Sequence, residues 1–166
     1  MTMLTVKIGH SIRRRVDHFL FPVGINLMPK AYPPVSAGES RQDVFDQIFD
    51  SNSWGSSESR SGVGSELDFT KHYREKLLEL LRQEKISSMI DAPCGDLHWM
   101  KEVLKEIDLN YIGGDISSHL VDKLMLQYPK LEIRKFDICV DSFPDVDLWH
   151  CRDCLFHLPN KDIFTA

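Results

Sequence analysis

The sequence predicts an α/β fold, an open parallel sheet with helices packed on both faces, and three observations carry that expectation. Residues 89–96 read MIDAPCGD: an apolar run stops at Asp91 and turns through Pro93, Cys94 and Gly95 toward a helix-like stretch. Residues 111–117 read YIGGDIS, a second apolar run tipped by Asp115, twenty positions beyond Gly95. From position 66 onward, segments of helical period alternate with short apolar runs. That alternation implies right-handed crossovers and parallel pairing, with central strands buried on both sides.

Each element follows from local pattern. Residues 1–40 have weak periodicity, broken by Pro22, Pro29, Pro33 and Pro34, and read as a partly disordered N-terminal helical arm. Residues 41–50 carry Val44, Phe45, Ile48 and Phe49 at helical spacing. The stretch SNSWGSSESRSGVGS, residues 51–65, is a loop by composition; loops that long in a compact domain are usually functional or unstructured. Residues 66–85 give the clearest helix, with Leu67, Phe69, Tyr73, Leu77, Leu78 and Leu81 on one face.

Residues 86–91 form the first expected strand, after which Asp96 caps a helix bearing Trp99, Met100, Val103, Leu104 and Ile107. Residues 111–115 make the second strand, a helix spans 119–128 before Pro129, and residues 131–137 and 146–151 make strands three and four. The usual reversal gives the order 3-2-1-4. Residues 158–166 open another helix with no strand after it, so residues 41–166 read as a partial domain whose C-terminal strands are missing. In that order the fourth strand has no outer neighbour, an unpaired edge open to self-association.

Composition narrows the function classes. At 166 residues, 42% hydrophobic and 27% charged, the chain fits one ordinary globular domain plus an arm. A formal net charge of −5 leaves no excess of Lys and Arg to neutralise phosphates, so no nucleic-acid partner is expected. The basic cluster Arg13, Arg14 and Arg15 precedes an apolar stretch that Pro22 and Gly24 interrupt and that is too short to span a bilayer; no membrane partner is expected either. Without a secretory signal, Cys94, Cys139, Cys151 and Cys154 read as reduced thiols of a cytoplasmic protein.

A strand, a tight turn and a second strand tipped by an acid is how an α/β sheet holds an adenosine-containing cofactor, the acid accepting from the ribose hydroxyls. A pyrophosphate requires GxGxxG and bare backbone N–H groups. Residues 91–96 offer DAPCGD instead, with one glycine between Asp91 and Asp96. Those acids repel a pyrophosphate and suit a ligand carrying an ammonium and a sulfonium.

On these segments the chain resembles the class I, Rossmann-like, S-adenosylmethionine-dependent methyltransferases from about position 41 onward. The family's strand-end acid and small-residue turn match Asp91, Ala92, Pro93, Cys94 and Gly95, with Pro93 replacing the first glycine. The resemblance implies S-adenosyl-L-methionine as cofactor, with Asp115 at the ribose and Asp137 and Ile116 at the adenine. Cys151 and Arg152, in DLWHCRDCLFHL, would pass beside the sulfonium. The loop at 51–65 resembles a cofactor-covering segment of small-molecule methyltransferases, which implies contacts from Arg60, Gly62, Gly64 and Ser65; Arg60 could meet the methionine carboxylate. The family's fifth to seventh strands are absent from this sequence.

The implied activity is methyl transfer to a small-molecule acceptor, with Asp153 or His157 as the base that takes the acceptor's proton. Two alternatives stay open at this point. One is an inactive or fragmentary cofactor-binding module. The other is a zinc or thiol redox protein built on Cys151 and Cys154, although no second CxxC exists to complete a four-ligand site, so no metal is expected.

Overall fold

Met89 and Ile90 are adjacent and both fully buried. Successive strand side chains point to opposite faces, so this pair marks a sheet covered on both sides. The computed structural model describes residues 39–164. Its elements are α1 (Arg41–Ser51), a 3-10 turn (Val63–Ser65), α2 (Leu67–Gln83), β1 (Ser88–Asp91), α3 (Met100–Leu104), β2 (Asn110–Asp115), α4 (Ser118–Gln127), β3 (Glu132–Lys135), β4 (Leu148–His150), a second 3-10 turn (Leu155–His157) and α5 (Asn160–Ile163). The expected arm lies outside the described residues except for Glu39 and Ser40, as do the last two residues of the expected C-terminal helix.

The sheet is parallel throughout, in the order β3-β2-β1-β4, a Rossmann-like topology. Its register brings the C-terminal strand ends together: Asp91 pairs with Gly113 on one side and with His150 on the other. One face carries Met89, Tyr111 and Ile133 against α2, α3 and α4, through Leu77, Leu81, Met100, Val103, Leu120 and Leu124. The other face carries Ile90 with Ile112 against Phe136, Ile138, Phe143 and Val146, residues of the β3–β4 connection, and against Leu158. Among the described residues the longer helices therefore gather on one face, and irregular chain covers the second. Truncating a buried leucine such as Leu81 to alanine should cost about 2–5 kcal/mol.

Three expected boundaries shift. The helix expected after Asp96 begins only at Met100 and ends at Leu104, because Leu97 sits in the left-handed region at φ 58° and breaks the helical path. The third strand stops at Lys135, and the fourth spans 148–150. Among the described residues β4 stands at one edge of the sheet, with Trp149 half-exposed and stacked on Phe143 at 4.1 Å. No described helix is long and apolar enough to cross a membrane.

α1 is held by a capping box: the Ser40 hydroxyl accepts from the Asp43 N–H, and the Ser40 N–H donates to Asp43. Its buried Asp46 reaches the start of α4, accepting from Ser117 Oγ at 2.6 Å and His119 N–H at 3.2 Å. Burial opposes the Asp46 charge, but these donors outweigh it and lower its pKa. An acid placed among the free N–H groups of a helix start is stabilised there. α1 thus lies across the end of the sheet where β2 finishes.

Candidate functional site

The turn after β1 is pinned by its neighbours. Ala92 N–H donates to the His150 carbonyl at 2.9 Å, and Cys94 N–H to the Gly114 carbonyl at 2.8 Å. The Ala92–Pro93 bond is cis, and Gly95 turns the chain at φ 55°. Gly95 N–H then donates to Asp115 Oδ2 at 3.1 Å, while Ser117 N–H donates to Asp115 Oδ1 at 3.0 Å. Asp115 is buried, and desolvation raises its pKa to about 6 despite the Ser117 and Gly95 donors; the Asp91 charge adds to the rise. Burial pushes the Cys94 thiol well above its ordinary value, which makes it an inert packing residue.

Asp96 does not cap a helix; it fastens the loop between α1 and α2. Its carboxylate accepts from Ser59 Oγ at 2.9 Å, Arg60 N–H at 2.7 Å and Ser61 Oγ at 3.2 Å, and its own N–H donates to Ser61 Oγ at 2.9 Å. The next stretch folds against the β4 end. Gly62 has φ 89°, and a Cβ there would meet the Trp54 Cβ at 3.0 Å. The Gly64 carbonyl accepts from Arg152 Nη2 at 3.0 Å, and Ser65 is buried in the 3-10 turn. The segment at 59–65 is therefore ordered, bonded at one end to Asp96 after the β1 turn and at the other to Arg152 after β4.

Arg60 behaves differently from its neighbours. Its side chain approaches the Phe49 and Asp50 carbonyls at 3.4 Å and lines a groove of about 330 Å³ together with Lys101, Lys123 and Asp96. Asp137, just after β3, accepts from Arg41 Nη2 at 2.8 Å and from Cys139 N–H at 2.9 Å. Arg41 also reaches Asp162 at 2.8 Å, and the Asp137 bond, set against partial desolvation, raises the guanidinium pKa. Ile116 lies between Asp115 and the buried start of α4.

The chain after β4 brings the remaining expected residues together. Arg152 pairs with Asp153 at 3.0 Å and covers the rings of Tyr73 and Trp99, at 5.1 and 5.5 Å from their centroids. Asp153 has φ 52° and sits against Gly64. His157 stacks on Trp54 at 5.6 Å, and burial lowers its pKa to about 4, so it is neutral at physiological pH and weakly basic. Cys151 is exposed; a hydrogen bond from the Cys154 thiol lowers its pKa to about 7, and the same bond with burial raises that of Cys154. No group of three or more metal-ligating side chains occurs among the described residues.

Asp91 is not an open strand-end acid. It is 2% exposed and has partners on both oxygens: Tyr111 Oη donates to Oδ2 at 2.9 Å, and His150 Nδ1 lies 2.6 Å from Oδ1. His150 Nε2 in turn lies 2.8 Å from Tyr73 Oη. Burial opposes the charged imidazole, but the Asp91 carboxylate outweighs it and the His150 pKa is raised. In the sequence Tyr73 stands on an apolar helix face and His150 within DLWHCRDCLFHL, with nothing local to join them. The signal that could have found them is the expected strand order: with strands one and four adjacent, their C-terminal residues Asp91 and His150 fall in register.

Chemically, the edge offers a buried acid poised near neutrality, a hydrogen-bonded His–Asp pair, one ionisable thiol and the anchored segment at 59–65. No known family model matches the chain, and no curated protein matches it.

Proposed function

We propose that this domain binds S-adenosylmethionine at the C-terminal edge of β1 and β2 and transfers its methyl group to a small-molecule acceptor. The observation that carries the reading is Asp115: a buried acid at the end of β2, bonded to the Gly95 N–H of the adjoining turn, with its pKa raised to about 6. An incompletely stabilised buried acid gains from new hydroxyl donors and from a nearby cation, and a ribose and a sulfonium supply both. The donor set fits the cofactor at this position and fits a pyrophosphate poorly.

Asp115 would take the ribose, and Gly95 with the turn of Ala92, Pro93 and Cys94 would give the methionine portion a close backbone approach. Ile116 would pack on the adenine. Arg60 would reach a carboxylate only by leaving the Phe49 and Asp50 carbonyls, and Asp137 would meet an adenine amino group while keeping Arg41. S-adenosylmethionine supplies an electrophilic methyl group whose transfer discharges the sulfonium. The protein's work is then to orient the acceptor, exclude water beneath the 59–65 cover and remove one proton. Asp153, at the chain after β4, is an exposed candidate for that last task; His157 is a weaker base than an ordinary imidazole because burial lowers its pKa to about 4. Negative net charge favours a small acceptor over a nucleic acid.

Isothermal titration of the folded chain with S-adenosylmethionine, with an Asp115→Ala variant and NAD as control, tests the reading. Saturable binding that the variant loses supports it; no binding, or equal binding of NAD, removes it.

One observation favours a second reading, dithiol chemistry at Cys151 and Cys154: the exposed Cys151 thiol is acidified by its neighbour. A hydroperoxide would oxidise the Cys151 thiolate to a sulfenic acid, and the Cys154 thiol would then displace water to form the disulfide. Loss of two hydrogens by mass spectrometry after peroxide, absent in Cys154→Ser, supports it.

A further inference from the structure

A continuous line of hydrogen bonds runs from the core to a half-exposed hydroxyl. Tyr111 Oη donates to Asp91, Asp91 holds His150 Nδ1 at 2.6 Å, and His150 Nε2 meets Tyr73 Oη at 2.8 Å. The four residues come from β2, β1, β4 and α2, so only the assembled sheet and its first covering helix create the line. Along it exposure rises outward: Asp91 is 2% exposed, His150 7% and Tyr73 38%.

We propose that Asp91, His150 and Tyr73 form a proton relay whose working end is the Tyr73 hydroxyl, which removes the proton of the acceptor. Its use on an acceptor rests on the methyl-transfer reading; the relay itself does not. As Tyr73 Oη takes the proton from an acceptor O–H or N–H, its own proton passes to His150 Nε2. The resulting imidazolium is held by Asp91, whose second oxygen keeps the Tyr111 bond. A buried acid needs only a donor, which an amide would supply. A histidine brings a second nitrogen, and here that nitrogen meets a hydroxyl at the surface end of the line.

The surroundings favour transfer over simple ionisation. Burial raises the Tyr73 pKa, and the Arg152 charge over its ring opposes that rise. The phenol therefore stays protonated at neutral pH and gives up its proton only as another bond forms. The charged and titratable groups facing Tyr73 and His150 are Asp91 from β1, Tyr111 from β2, and Cys151, Arg152 and Asp153 from the chain after β4. Trp99 contributes only a ring edge, 5.6 Å from Tyr73 and 5.7 Å from His150. Arg152 also donates to the Gly64 carbonyl, which ties the cover segment to the relay's outer end.

The test uses p-nitrophenyl acetate on the full chain, with no cofactor. Tyr73 Oη bonds to the acetyl carbon, the ester C–O bond breaks, p-nitrophenolate leaves and the phenol proton goes to His150. Peptide mass spectrometry locates the acetyl group, with Tyr128 as internal reference. Tyr73 should be acetylated on the order of a hundredfold faster than Tyr128. The rate should rise through a midpoint above 6.5, the ordinary histidine value, because Asp91 raises His150.

Tyr73→Phe should remove that label alone, and His150→Gln should bring Tyr73 down to the Tyr128 rate. Should His150→Gln fail to fold by circular dichroism, Tyr111→Phe serves in its place: Asp91 loses a donor, presses its charge harder on His150, and the midpoint moves upward. Equal labelling of Tyr73 and Tyr128 overturns the relay, as does a midpoint unmoved by the folded variant. Selective acetylation without S-adenosylmethionine binding keeps the relay and removes the methyl-transfer reading. Binding without selective acetylation does the reverse.

Discussion

The Asp96 carboxylate accepts the Arg60 backbone N–H at 2.7 Å across thirty-six positions of sequence. With Ser59 and Ser61 on the same carboxylate, this one side chain fixes where the 59–65 segment meets the β1 turn. Hydrogen bonds to a charged group contribute about 1.5–3 kcal/mol each and overlap when shared. Asp96→Ala should therefore lower stability by about 2–3 kcal/mol in denaturant titration. It should also open residues 56–65 to limited proteolysis, and an unchanged cleavage pattern would show the segment to be held by other contacts.

Gly95 should tolerate no side chain. At φ 55° a Cβ would stand 2.3 Å from Ser61 Oγ, and left-handed backbone costs an L-residue about 1–2 kcal/mol before any clash. Gly95→Ala should lose about 2–3 kcal/mol. Removing the hydroxyl with Ser61→Ala should return about 1 kcal/mol in a double-mutant cycle. Strict additivity of the two changes would contradict the contact.

Asp115 should make stability fall with rising pH. Its folded pKa of about 6 lies above the ordinary 3.8, so the folded state holds the proton more tightly. Its contribution is full below about pH 4, declines through the window up to about pH 6 and is flat above, a total of about 3 kcal/mol. Subtracting the Asp115→Asn profile from that of the wild type in chemical denaturation isolates this slope. The same ionisation should govern S-adenosylmethionine: if ribose hydroxyls donate to the carboxylate, affinity should fall toward tenfold per unit below about pH 6. A flat difference profile would mean that Asp115 ionises as an exposed acid does.

Cys151 should be the first thiol to react. With its pKa lowered to about 7 it is about half ionised at neutral pH, against a few per cent for an ordinary thiol. Limiting iodoacetamide should label Cys151 before Cys94, Cys139 or Cys154, whose pKa values are all raised. Cys154→Ala, which removes the donor to the thiolate, should slow that labelling; labelling first at Cys94 would contradict the buried turn.

The sheet was legible because β1, β2 and β4 carry short apolar runs closed by a polar end, with Asp91 and Asp115 at two of those ends, and because β3, apolar only at Ile133, follows in the strand–helix alternation. α1 and α2 were legible from their apolar faces, to within a residue or two at each end. The helix after Asp96 was overread, since Trp99, Met100, Val103 and Leu104 keep helical spacing while the strained Leu97 decides where the helix can begin. The loop at 51–65 was legible as a loop, but its anchoring to Asp96 depends on contacts between side chains and distant backbone, which no periodicity records. The line from Tyr111 to Tyr73 was illegible for the same reason: its members stand at positions 73, 91, 111 and 150, and nothing local joins one to another.

The pairing of Asp91 with His150 also sets an order of events during synthesis. β1 and its acid emerge 59 positions before the strand that supplies their partner. Until β4 arrives, the nascent core would enclose a carboxylate held by Tyr111 alone, so β1, β2 and β3 can associate only loosely while Asp91 stays in water. Docking of β4 satisfies the acid in one step, which makes the shortest of the four described strands the latch on β1.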